Sequence, residues 1–328
     1  MSLPALRVEG ASAWVAADFP APRRWVRRLE PVHLAELDRG LEAARALTVD
    51  PAERAAETEP FPLWETRNLL RACREDLERG PGFAVVAGFP VDRYSYEDCR
   101  RAFLGLLANL GAPAPQNRDG ATVIDVVDRA RPYDHTSRGY HSNRLLPFHT
   151  DGAHCVALLS IDRAYRGGES VIVSAASASN AVLAERPDLW QVLARGFHHH
   201  RRGEQEPGEP AISVDPIPVF TIHDALLHCM YNRNPIEWAE REGARLTPLE
   251  REALDYFDAV LARPELQLRM DLEPGDVQIL DNFSILHSRT EFEDRPPHRR
   301  HLLRVWLDLP ESRRRGPTLR DLYAPALR

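Results

Sequence analysis

Lysine is absent from this chain: all 42 of its basic residues are arginine, a bias that points to a GC-rich genome more than to a mechanism. Long apolar runs are missing too. Nothing approaches the ~18 consecutive apolar residues that a membrane-spanning helix needs, and the opening stretch MSLPALRVEGASAW lacks the basic-then-apolar order of a secretory signal. No membrane association is expected, and the expected location is cytoplasmic. Cysteine is scarce: Cys73, Cys99, Cys155 and Cys229 are too few and too far apart for a disulfide framework or a paired-cysteine metal knuckle, and read as free thiols. Nor is there an excess of positive charge. A formal net charge of -7 offers no field to hold a polyphosphate backbone, so nucleic acid is not an expected partner. No repeat of 20–50 residues and no low-complexity tract is visible, which removes solenoids and arrays.

What remains is a chain of 328 residues, 43% hydrophobic and 28% charged, the composition of an ordinary globular protein. Apolar spacing of three and four predicts helices over 32–47, about 64–79 and 95–110, with an acidic, proline-containing linker over 48–63. The run GFAVVAGFPV (82–91) reads as a strand bounded by glycine and proline. The β-branched clusters ATVIDVV, CVALLSI and ESVIVSA, between about 120 and 175, predict sheet. One helix is expected over 177–194 and another over 247–263, where Thr247, Pro248 and Glu250 have the order of a capping box. GDVQILDNFSILHSR (275–289) and RRHLLRVWLDLP (299–310) read as two strands joined by a polar, proline-rich loop. Residues 1–63 are expected to form a helical extension and linker packed on a core domain of 64–328, the whole being one structural unit.

The stretch PFHTDGAH (147–154) carries the chemistry. On a strand or its extended exit, side chains at i and i+2 share a face, so His149 and Asp151 can reach one ion. His287, 138 residues further on another predicted strand, is the best-placed third ligand. Two imidazoles and a carboxylate on one face of an octahedron leave three positions open, the ligand set of non-haem Fe(II) centres that bind a co-substrate and oxygen together. Zinc accepts the same donors, but the HExxH helix of zinc proteases is absent. Arg300 follows His287 by thirteen positions and Arg304 follows Arg300 by four. Both therefore fall on one strand face, where a planar guanidinium suits the far end of a dicarboxylate.

PFHTDGAH, GGES (167–170), DNFSILHSRTEF and RRHLLRVWLDLP, in that order, resemble the Fe(II)/2-oxoglutarate dioxygenases of the taurine dioxygenase, clavaminate synthase and γ-butyrobetaine hydroxylase type over roughly residues 80–310. The resemblance implies a mostly β fold with flanking α-helices, built on a double-stranded β-helix (jelly roll). It implies His149, Asp151 and His287 as iron ligands, Arg300 as partner of the distal carboxylate of 2-oxoglutarate, and Ser170 as a hydroxyl donor to that co-substrate where relatives usually carry threonine. Arg304 is expected to meet a second carboxylate, of co-substrate or substrate. The implied cofactors are Fe(II), 2-oxoglutarate and O2, and the implied reaction is an oxidative decarboxylation to succinate and CO2 coupled to C–H oxidation. Halogenating relatives carry a small residue where this chain keeps Asp151, so hydroxylation is the expected outcome, with desaturation, epoxidation and cyclisation open.

The expected partner is a small polar molecule: an amino acid, short peptide or specialised metabolite. Tyr140 and Asn143, just before the HTD motif, and Tyr231 and Arg233, in HCMYNRNPIE (228–237), are candidate substrate contacts. Gln116 and Asn117 resemble a pocket-facing stretch in relatives. Three histidines in FHHHRRGE (197–204) read as a polar strand edge, and His154 as pocket lining or surface. Two other functional classes fit the same residues: a zinc hydrolase using the three ligands, which has no need of Arg300, and a jelly-roll binding protein that turns nothing over. Oligomeric state is not readable from the sequence.

Overall fold

The structure, a computed structural model, describes residues 7–20, 23, 25–46, 61–117, 119–130, 141–203, 205, 207–223, 226–309 and 316–323. In chain order its elements are β1 (Arg27–Arg28), α1 (Pro31–Arg45), α2 (Thr66–Glu78), β2 (Phe83–Ala87), α3 (Tyr96–Leu107), β3 (Ala112–Ala114), β4 (Val123–Val127), β5 (Leu146–His149), β6 (Cys155–Asp162), β7 (Arg166–Gly167), β8 (Ser170–Ser174), α4 (Ala175–Glu185), α5 (Pro187–Arg195), β9 (Phe220–His223), β10 (Leu226–Cys229), α6 (Arg233–Ala239), α7 (Pro248–Leu261), β11 (Gln267–Met270), β12 (Val277–Asp281), β13 (Ile285–Arg289), β14 (Phe292–Glu293), β15 (His301–Asp308) and α8 (Leu319–Tyr323).

Seven strands make the larger sheet, in the order β1-β2-β12-β6-β15-β3 with β4 also on β15, and four make the smaller sheet, β11-β8-β13-β5. The period-2 alternation of β15 shows how the layers form. Leu303, Val305 and Leu307 turn outward into a core shared with Leu41, Leu70 and Phe103 of α1, α2 and α3. Leu302 and Trp306 turn inward, between the sheets, to meet Ile172 and Ile285 of the smaller sheet. The outer face of that sheet is covered in turn: Val173 and Leu286 pack with Val182, Leu189, Leu254 and Phe257 of α4, α5 and α7. Two facing sheets with helices on both outer faces are the expected jelly roll with flanking helices. Among the described residues no helix is long and apolar enough to cross a membrane.

The sequence pattern misjudged two elements. The helix expected over 177–194 is two helices, because Pro187 cannot continue the ladder of α4 and instead takes the first position of α5, with Arg186 between them at φ -140, ψ 68. The strand expected over 275–289 is two strands in different sheets. Between them Asp281 accepts a hydrogen bond from the Phe283 amide at 3.0 Å and another from the Ser284 hydroxyl at 2.7 Å, turning the chain from one sheet to the other. The capping box on α7 forms as read, with Thr247 N donating to Glu250 Oε2 at 2.7 Å and Glu250 N to Thr247 Oγ1 at 3.3 Å.

Candidate active site

His149 ends β5 with its side chain turned into the space between the sheets, while Phe148 turns the other way to pack on the α4, α5 and α7 layer. In the antiparallel pairing of β5 with β13, His149 stands directly opposite His287. Cross-strand partners lie close enough for their side chains to interact, and the two imidazole centroids are 4.2 Å apart. Past His149 the chain leaves the sheet, held by Thr150 N donating to the Tyr231 carbonyl at 2.8 Å. Asp151 N then donates to Asn282 Oδ1 at 3.1 Å, and Asn282 Nδ2 to the Ala153 carbonyl at 2.9 Å. These bonds bring the Asp151 carboxylate to 3.7 Å from His287 Nε2. Gly152 comes next, where an added Cβ would lie 3.1 Å from the Trp306 ring, a tight approach.

Donor atoms of His149, Asp151 and His287 all lie within 4.8 Å of one another. The residues fit a ferrous ion on three counts. Nδ1–H of His149 donates to the Pro147 carbonyl at 2.9 Å, which fixes the tautomer and leaves the Nε2 lone pair for a metal. Burial, reinforced by His149, pushes His287 down to about 3, and burial also lowers His149, so both rings are neutral donors near neutral pH. Burial acts to raise Asp151, but Arg304 and the two imidazoles outweigh it and hold the carboxyl below the usual range, as an anion. Two neutral nitrogens and one carboxylate are the donor chemistry such an ion takes.

His149, His287, Ser170, Arg289, Arg300 and Arg304 line one cavity, closed by apolar side chains that include Val126, Leu158 and Leu302. Arg300 Nε donates to the Gly168 carbonyl at 3.3 Å. Gly168, in the GGES turn, has φ +82, and a Cβ there would come within 2.8 Å of the Arg300 side chain, so glycine is what allows the arginine stem to pass. The Ser170 hydroxyl faces the cavity and donates to Gln278 Oε1 at 2.9 Å.

The other expected residues take these places. Arg304 is held beside the Asp151 carboxylate, with its Nε donating to Gln116 Oε1 at 2.8 Å and its Nη1 3.5 Å from each Asp151 oxygen, and it lines the same cavity. Arg233 is engaged by Glu237, Asp255 and Asp258 at 2.8, 2.7 and 3.1 Å, which removes it as an anchor for a substrate carboxylate. Tyr231 is fully buried and donates its hydroxyl to Asp258 at 2.6 Å; it is part of the core. Asn143 is half-buried, and its carbonyl accepts from Phe292 N at 3.0 Å. Tyr140 lies outside the described residues. His154 is turned to Asp308 at 3.3 Å, and His198, His199 and His200 contact Ser213, Tyr323 and Arg202 respectively. Sequence reasoning missed Asn282 and Arg289. Both stand within the quoted DNFSILHSR, and Arg289 could have been found by the same i+2 rule that joined His149 to Asp151.

A fold of two facing sheets that holds a two-histidine, one-carboxylate cluster beside a buried arginine defines a non-haem iron oxygenase of the 2-oxoglutarate-dependent class. Comparison with known proteins agrees. Residues 43–306 match the family described as Taurine catabolism dioxygenase TauD, TfdA family. The chain is 33% identical over 327 residues to the FR-33289 synthase of Streptomyces rubellomurinus, covering 95% of this chain and 93% of that protein. Among solved structures, an asparagine oxygenase in complex with Fe(II), 2S,3S-3-hydroxyasparagine and succinate superposes with a TM-score of 0.67 at 22% identity, covering 92% of this chain and 98% of that one. The non-heme iron oxygenase OrfP, in complex with Fe, succinate and (3S)-hydroxy-L-Arg, superposes at 0.62 and 19% identity over 86% of this chain and 94% of that one. The chain belongs to the TauD/TfdA family. It is an Fe(II)- and 2-oxoglutarate-dependent dioxygenase that uses O2.

Proposed function

We propose that the chain hydroxylates an unactivated C–H bond of a small polar molecule, an amino acid or a metabolite built from one, with His149, Asp151 and His287 as the iron ligands. The cross-strand pairing of His149 with His287, beside Asp151 and in one cavity with Arg300, carries this reading. The hydroxylated amino acids held by the asparagine oxygenase and by OrfP support the substrate class. When bound, iron with 2-oxoglutarate and O2 supplies oxidative decarboxylation to succinate and CO2 and the oxidising power for C–H attack.

The chain's own residues supply placement. Arg300, buried and pushed down to about 9 by desolvation and by its neighbour Arg289, keeps its charge at neutral pH and receives the distal carboxylate of 2-oxoglutarate. Ser170, in the same cavity, turns its hydroxyl from Gln278 to that carboxylate when the co-substrate binds. Arg304 and Gln116 hold Asp151 as an anion in one orientation. Val126, Leu158 and Leu302 keep water from the reacting side, and Asn143 meets the substrate.

The test begins with anaerobic Fe(II) loading and titration with 2-oxoglutarate, which should give a visible metal-to-ligand charge-transfer band. Arg300→Ala should weaken 2-oxoglutarate binding by 30-fold or more, roughly the low end of what losing one partner of a buried charge pair costs. A hydrolase would keep its metal-water chemistry in that variant. Screening a metabolite library for substrate-dependent succinate and a product heavier by one oxygen then tests the hydroxylation. A substrate-dependent product lighter by two hydrogens would replace hydroxylation with desaturation or cyclisation, and a wild-type protein that forms no band would overturn the reading.

A further inference from the structure

Arg289 shares the cavity of the metal-ligand cluster with Arg300. Both are nearly out of solvent, with 5% and 7% of their full exposure. Arg289 arrives there because it follows His287 by two positions on β13, and Arg300 because it leads into β15 on the face that carries Leu302's inward neighbours. The two guanidiniums share one aromatic ring: their central carbons lie 4.7 and 5.3 Å from the centroid of Phe292. Arg289 donates to the carbonyls of Arg144 and Thr290, and Arg300 to that of Gly168. Carbonyls complete the donors' hydrogen bonds but bring no formal charge.

Among the described residues neither guanidinium has a carboxylate within ion-pair distance. Asp128 acts on Arg289 only at longer range, and Asp294 gives its oxygen to the Arg300 backbone amide at 2.9 Å. A single buried cation without an anion is costly, and two in one cavity are costlier. Such a pair is tolerated where a ligand brings the missing negative charge.

We infer that Arg289 is a second guanidinium for the distal carboxylate of the oxo-acid co-substrate, gripping it together with Arg300. The inference rests on the function proposed above and deepens it. One arginine can align a carboxylate in a plane. A second, whose repulsion from the first is relieved only when the anion enters, makes the pocket demand that charge. Arg289 thereby sets the preference for a dicarboxylic over a monocarboxylic 2-oxo acid. The competing role is a strut that ties β13 to the Arg144 carbonyl and has no part in binding.

Selectivity separates the two. The full chain, loaded anaerobically with Fe(II), is titrated with 2-oxoglutarate and with 2-oxopentanoate, whose chain has the same length but ends in a methyl group, and the charge-transfer band gives both Kd values. Arg289→Met keeps an apolar stem over Phe292 and removes the charge. It should raise the Kd for 2-oxoglutarate by roughly 30-fold or more and leave that for 2-oxopentanoate nearly unchanged. Equal weakening of both oxo acids, or an unaltered Kd for 2-oxoglutarate, overturns the inference and leaves the proposed function standing. If Arg289→Met does not fold, Arg289→Gln decides, because it removes the charge and keeps a donor for the Arg144 carbonyl: a reduced preference for 2-oxoglutarate supports the paired grip, and an unchanged preference overturns it. Absence of a band from the wild-type protein with either oxo acid sinks the proposed function and this inference together.

Discussion

Gln116 spends every polar atom of its side chain inside the molecule. Its Nε2 donates to the carbonyls of Thr122 and Arg304, at 2.8 and 2.9 Å, and its Oε1 accepts from Arg304 Nε at 2.8 Å. That last bond orients the guanidinium whose Nη1 lies 3.5 Å from both oxygens of Asp151. Gln116→Leu should therefore have two effects. Leaving buried donors and acceptors short of partners should cost about 1–3 kcal/mol of stability, read by chemical denaturation. Loosening the support of a ligand carboxylate should raise the Kd for Fe(II) by roughly 10-fold or more, read by equilibrium dialysis. An unchanged Kd would mean that Arg304 holds Asp151 without help. The resemblance pointed to this stretch as pocket-facing; that the glutamine acts on an arginine, and through it on a metal ligand, depends on a contact across 188 residues that no local pattern encodes.

At the scale of elements, α1 and α2 are joined by one carboxylate. Glu36, 2% exposed on α1, accepts from the amides of Trp64, Glu65 and Thr66 and from the Thr66 hydroxyl, at 2.7 to 3.0 Å. It thus caps the start of α2 from a neighbouring helix, where an anion is favoured by unpaired amides and the helix dipole. Burial acts to raise its pKa, but these hydrogen bonds prevail and lower it from 4.5 to about 2. Because the folded value is depressed, the stabilisation is complete above the unfolded value of 4.5 and is lost as pH falls toward about 2. Glu36→Gln should cost on the order of 2–3 kcal/mol at neutral pH, and its stability should converge with that of the wild type as pH drops through that window. A constant difference across the window would show that shape, not charge, makes the cap. The spacing of three and four predicted both helices, and nothing in it could pair Glu36 with an amide nearly thirty residues away. The same limit explains 275–289: the apolar pattern announced β structure, but the Asp281 turn and the destination sheet of each half were decided by packing.

Across the whole molecule, β15 is the strand on which the layers depend. Its outward residues enter the helix-covered core and its inward ones the space between the sheets. Leu303, fully buried on the outward face, should cost about 2–5 kcal/mol when replaced by alanine, measured by denaturant unfolding, since neither sheet nor helices can close the gap without parting from the other. A cost below 1 kcal/mol would mean that the helices collapse onto the sheet more freely than this packing allows. The sequence by itself determined the donor types, the i+2 pair His149 and Asp151, the arginines on one face of β15 and the periods of most elements, because these depend on neighbours a few positions apart. Only the tertiary structure decided that His287 stands opposite His149, that Arg304 is held beside Asp151, that Arg233 is tied to Glu237, Asp255 and Asp258, and that Tyr231 belongs to the core. Each of those outcomes is a long-range pairing, set by strand register and by packing.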